Sequence, residues 1–80
     1  MKIPSIKALV ELYSLDELAQ AEEAIMNEET PQIDIGGDDE GEKLTHVLAA
    51  IYILDKIASE GYDFKKALRE YTGKVRESIS

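Results

Sequence analysis

The sequence predicts an all-α protein, a small four-helix bundle whose first helix is short. Three observations carry this prediction. Apolar residues recur at spacings of three and four along most of the chain. Start and stop signals punctuate these stretches at Pro4, Ser14, Thr30-Pro31, Gly61 and Asp63. Hydrophobic residues make up 44% of the chain and charged residues 32%, a balance that supports a packed core and excludes a low-hydrophobicity disordered coil. With 80 residues, positions 1–80 are read as a single helical domain.

Pro4 suits the first turn of a helix running to about Tyr13, with Ile6, Leu9, Val10 and Tyr13 on one side. Ser14-Leu15-Asp16-Glu17 is a capping box: the serine hydroxyl and the glutamate carboxylate can satisfy two orphan backbone donors. The second helix is expected from Leu15 to about Glu29, with an apolar arc of Leu15, Leu18, Ala21, Ile25 and Met26. Thr30-Pro31 stops it, because a residue before proline disfavours helical backbone. Ile33 and Ile35 alternate with polar residues, so a short extended segment at residues 32–35 is possible before an exposed acidic loop.

The third helix, about Glu42 to Glu60, is the longest and the most apolar, and is placed at the centre. Leu44, Val47, Leu48, Ile51, Leu54 and Ala58 define its expected core face, with Ile53 well off that face. Ala49, Tyr52 and Ile57 widen its apolar surface, so a second subunit is expected to cover what the other helices leave open. Gly61 is the C-cap and Asp63 the next N-cap. The fourth helix runs from Phe64 to about Ser78 with a stripe of Phe64, Leu68, Tyr71, Val75 and Ile79.

Composition excludes several functions. There is no cysteine, so disulfides, thiolate nucleophiles and cysteine-held metal centres are excluded. The net charge is −8, and residues 8–42 hold twelve Asp or Glu with no Lys or Arg, whereas residues 61–80 hold five bases against three acids. This polarity argues against nucleic-acid binding, which needs a basic face. The longest apolar run, Val47 to Leu54, is too short to span a membrane. No signal peptide is read at the N-terminus, and a cytoplasmic location is expected.

Candidate sites are few. The acidic loop from Asp34 to Glu42 invites a cation, but placing the EF-hand glycine at Gly36, Gly37 or Gly41 puts Pro31, Gln32 or Gly36 at the first ligand position. A solvated loop whose acids favour the following helix N-terminus is the better reading. His46, the sole histidine, lies one turn from Glu42, but two ligands are too few for a specific metal site. It is placed on the less apolar side of the third helix as a partly exposed or interface residue. Glu22 and Asp55 fall inside the expected apolar arcs, which suggests buried acids, each paired with a base or fixing the register of an interface. Lys65, Arg69 and Arg76 line one side of the fourth helix and are expected to face the acidic second helix, within the chain or across a dimer. No Gly-rich phosphate loop or nucleophile elbow is present. No catalytic, cofactor-binding or metal-ligating residue is assigned, and no cofactor is expected.

The opening Met1-Lys2-Ile3-Pro4, with Ile6-Lys7, and the ending Glu60-Gly61, Lys66-Ala67-Leu68, Val75 and Ser78-Ile79 resemble a family of small uncharacterised bacterial proteins of 80–90 residues. The middle of the chain, with Gly36-Gly37 and four acids after it, departs from that pattern. The resemblance implies no activity and no site residues.

Two functional readings follow. The favoured one is a non-catalytic interaction or accessory module, a homo-oligomer with a dimer favoured, which also takes a protein partner. The alternative is a small enzyme or metal-binding protein whose site is assembled at a subunit interface from Glu22, Asp55 and His46. A mimic of nucleic acid, suggested by the uncompensated acids, ranks third.

Overall fold

The computed structural model describes residues 2–37 and 39–79, with side chains as far as Lys74. Four helices occupy them: α1 (Ile3–Leu12), α2 (Leu15–Met26), α3 (Glu40–Glu60) and α4 (Phe64–Ile79). The all-α bundle holds. Residues 32–35 form no strand: their alternation survives as burial, with Ile35 buried and Ile33 half-buried between exposed Gln32 and Asp34. Lacking an extended partner to bond with, the segment inserts its isoleucines into the core as an irregular loop.

Local chemistry explains most element boundaries. Pro4 occupies the first turn of α1, and Ile6 and Leu9 point inward. Only Tyr13 and Ser14 separate α1 from α2. The Ser14 hydroxyl accepts from the Glu17 amide at 3.2 Å, and the Glu17 carboxylate accepts from the Ser14 amide at 3.1 Å, completing the capping box. Asp39 caps α3 by accepting from the Glu42 amide at 2.7 Å, so this helix begins two residues earlier than the pattern suggested. Gly61 closes it in the left-handed region at φ 70°. Asp63 caps α4 through the Lys66 amide at 2.8 Å.

The end of α2 departs from expectation. It stops at Met26, not near Glu29, because a Schellman turn intervenes before Pro31 acts. The Glu29 amide donates to the Ala24 carbonyl at 2.7 Å and the Glu28 amide to the Ile25 carbonyl at 3.1 Å. Such a turn needs one left-handed residue, and here it is Glu28 at φ 60°. Met26, expected in the apolar arc, is consequently 67% exposed. An acidic, non-glycine residue at this point opposes both backbone sterics and the helix dipole. Glu28→Gly is therefore expected to raise stability by about 0.5–1 kcal/mol, read as a higher thermal midpoint.

α3 is the common support: α1, α2 and α4 each pack against it far more than against one another. The central placement is as expected, but the face is not. The buried residues of α3 are His46, Val47, Ala49, Ala50 and Ile53. Of the expected face only Val47 is fully buried. Leu44, Ile51 and Leu54 are half-buried, Ala58 is exposed and Leu48 is 40% exposed. At 100° per residue the real core face is turned by roughly a third of a revolution. Three helices crowd onto α3, and the paired alanines 49 and 50 let them approach closely, whereas leucines there would hold them off. α3 is also not apolar throughout, since Asp55, Lys56, Ser59 and Glu60 interrupt its second half.

From α4 the core receives Ala67, fully buried, and parts of Phe64, Leu68 and Tyr71. The side chains of Val75 and Ile79, expected on the same stripe, and of Arg76 lie outside the described residues.

Candidate functional site

His46 is the one fully buried polar residue among the described side chains. Its position corrects the expectation of partial exposure: it shares the core face with Ala49, Ala50 and Ile53. Burial demands partners for both ring nitrogens, and the chain supplies them from two distant places. Nδ1 lies 2.6 Å from the Gly36 carbonyl, and Nε2 accepts from the Lys2 amide at 2.9 Å. A carbonyl can only accept, so the proton sits on Nδ1 and the Nε2 lone pair receives the Lys2 N–H. The ring thus ties α3 to the loop before it and to the start of α1.

Gly36 eases this approach. A Cβ there would lie 2.6 Å from the Ser5 hydroxyl oxygen and 3.2 Å from the Ser5 Cβ, so any side chain at this position would require Ser5 to shift. Gly37 follows at φ 143°, a conformation that side-chain-bearing residues avoid. Gly36 is exposed, as the loop reading expected, and its carbonyl nonetheless meets the buried ring.

Glu42 completes the cluster. Its Oε1 stands 3.8 Å from His46 Nε2 and 3.9 Å from Lys2 Nζ, and this buried oxygen has no hydrogen-bond donor among the described residues. Lys2, Gly36, Glu42 and His46 form a polar node inside the helix junction. With both nitrogens occupied, the imidazole offers no lone pair to a metal or a substrate proton in this state.

The residues of the composite-site reading are not brought together. Asp55 is exposed, against the expectation of burial. It stands nine residues from His46 on α3, which places the two on opposite sides of that helix. Glu22 is half-buried on α2, and no hydrogen bond or ion pair joins it to another described residue. Among the described residues no group of three metal-ligating side chains occurs, and the acidic loop supplies Asp39 as a helix cap. Asp38, one of the acids of that loop, lies outside the described residues.

A second cluster joins α3 to α4. The Tyr52 hydroxyl donates to Glu70 at 2.7 Å, Lys56 approaches the same carboxylate at 3.6 Å, and Lys56 and Lys74 lie over the Tyr52 ring. The Tyr52 hydrogen bond holds the Glu70 carboxyl below its ordinary value, and Lys56 adds to that effect against the opposing influence of burial. Burial raises the Tyr52 phenol, and its bond to Glu70 raises it further. A depressed carboxyl stabilises the fold above the ordinary carboxylate range and loses that effect as pH falls through its folded value. A raised phenol stabilises it below about pH 10 and loses that effect as pH rises through its folded value. Glu70→Gln is expected to flatten the acid limb of the stability profile, measured as denaturant midpoints across pH.

Lys65 and Arg69 are exposed and do not meet α2 as expected within the chain: no ion pair among the described residues joins α2 to α4. Surface grooves lie among the described residues. One, of about 380 Å³, runs along α2 beside Glu17, Glu23, Glu29 and Ile33. Another, of about 330 Å³, lies between α1 and the loop, beside Ser5, Leu9, Leu12 and Gly36.

Sequence reasoning missed Lys2 and Gly36 because both act through the backbone, which no side-chain motif reports. Among the described residues no helix is long and apolar enough to cross a membrane. No curated protein and no solved structure matches the chain. The profile of one family matches residues 1–80 in full, as the resemblance at the two ends suggested, and the chain therefore belongs to the family of unknown function DUF6952.

Proposed function

We propose that this chain is a non-catalytic protein–protein interaction module that acts as a homodimer through the outward face of α3. The observation that carries this reading is an apolar stripe that the fold covers only in part. Leu44, Leu48, Ile51 and Ala58, with Asp55 between them, recur at steps of four, three, four and three. That is the spacing of a heptad seam, and a polar residue within such a seam fixes register at some cost in stability. Leu48, 40% exposed, stands at its middle.

Charge supports a second copy as the occupant. Among the described residues no ion pair joins the acids of α2 to the bases of α4, and a second copy would bring faces of opposite charge together. The cysteine-free composition fits a cytoplasmic protein. The alternative, an enzyme or metal site built from Glu22, Asp55 and His46, has less support because His46 is enclosed and turned away from Asp55.

The test is the mass in solution across a concentration series, with Leu48→Glu as the disrupting variant. Wild type is expected to approach the dimer mass and to dissociate more readily in high salt. Leu48→Glu is expected to remain monomeric with unchanged helicity. A monomer mass at every concentration would overturn the dimer.

A further inference from the structure

We propose that His46 is a proton-operated latch, which holds the start of α1 on α3 when the ring is neutral and releases it when the ring is protonated. The geometry shows the first state and an acceptor for the second. In the neutral ring Nδ1–H donates to Gly36 and Nε2 accepts from the Lys2 amide. An added proton must go to Nε2, whose lone pair accepts the Lys2 N–H in the neutral ring. Nε2 then becomes a donor and can no longer accept the Lys2 N–H.

The protonated ring needs a second acceptor, and one is in place. Glu42 Oε1 lies 3.8 Å from Nε2, buried and without a hydrogen-bond donor among the described residues. A small side-chain rotation closes that gap to a charge-assisted hydrogen bond. Protonation therefore exchanges a bond between α1 and α3 for one inside α3, while the Gly36 bond is kept.

Among the described residues the charged surroundings are few. Glu42, on the same helix, has Oε1 3.8 Å from Nε2, and the Lys2 ammonium lies 3.9 Å from the same carboxylate oxygen. The preceding loop meets the ring with the Gly36 carbonyl and carries Asp34 and Asp39, both exposed. No charged side chain of α2 or α4 forms a hydrogen bond or ion pair with the ring among the described residues.

Release has a defined reach. The Ser5 and Ile6 amides both donate to the Lys2 carbonyl, at 3.1 and 3.3 Å, so the first turn of α1 hangs on the residue that the latch holds. The groove of about 330 Å³ between α1 and the loop borders the same turn through Pro4, Ser5 and Gly36. Freeing Lys2 loosens one wall of that groove.

The test is nitrogen NMR of the His46 ring together with amide exchange across pH on the intact chain. The expected result is an Nδ1–H tautomer in the neutral state. Protection of the Ser5 and Ile6 amides should fall by about tenfold, the worth of one hydrogen bond, in step with ring protonation, while Ala50 and Ile53 keep theirs. Glu42→Gln should move the release to lower pH. Lys2→Pro, which deletes the competing N–H, should move ring protonation to higher pH, and by more than Lys2→Met, which keeps the amide. An Nε2–H tautomer, Ser5 and Ile6 protection that ignores the ring, or loss of all amides together would overturn the latch. If Lys2→Pro fails to fold, the wild-type and Glu42→Gln titrations decide the matter alone.

Discussion

Replacing His46 with leucine is expected to destabilise the protein by roughly 2–6 kcal/mol, the largest effect expected among the described polar side chains. Leucine fills similar volume, so the loss comes from hydrogen bonding. The Gly36 carbonyl and the Lys2 amide would each be left without a partner, at about 1–3 kcal/mol apiece. In a domain this small each lost kcal/mol lowers the melting midpoint by roughly 4–8 °C. Calorimetry or chemical denaturation measures the loss directly. His46→Gln, which can retain one of the two bonds, should recover part of it. A midpoint unchanged by His46→Leu would mean that the ring does not bridge the two backbone groups.

The second large effect distinguishes the two faces of α3. Ile53→Ala removes a fully buried side chain and is expected to cost about 2–5 kcal/mol, the usual range for such a truncation. Leu48→Ala, on the outward stripe, should cost less than about 1 kcal/mol. Both are read from urea midpoints at concentrations low enough to keep the protein monomeric. If the hydrophobicity of the helical wheel had set the core, with Leu44, Leu48 and Ile51 inward, the order would reverse. The pair therefore tests the orientation of α3 without a further structure.

Helix ends and core face were not equally legible in the sequence. Ser14 with Glu17, Asp63 and Gly61 act on backbone groups within three or four residues, so their roles follow from local spacing. The end of α2 was misplaced because its stop signal is a left-handed glutamate, a residue type that seldom adopts that conformation. The core face of α3 was misjudged for another reason. A helical wheel ranks leucine above alanine, but what a helix packed against three others needs is room, and Ala49 and Ala50 provide it. His46 was misjudged by the same step, since its partners lie 44 and 10 residues away. Nothing near it in sequence announces that two backbone groups converge there. Asp55 followed in turn: once the core face rotated, the acid expected inside came to lie outside.

The dependence of α1, α2 and α4 on a single support also bears on how the protein is born. During synthesis α1 and α2 emerge first, yet the surface that each must bury belongs to α3, which ends at Glu60. Isolated helices of 10 and 12 residues are marginal in water, so neither α1 nor α2 is expected to hold its structure before α3 has been made. The core is therefore expected to form as a unit once α3 is present, and residues buried beneath its alanine face are expected to exchange their amide hydrogens only when the whole molecule opens.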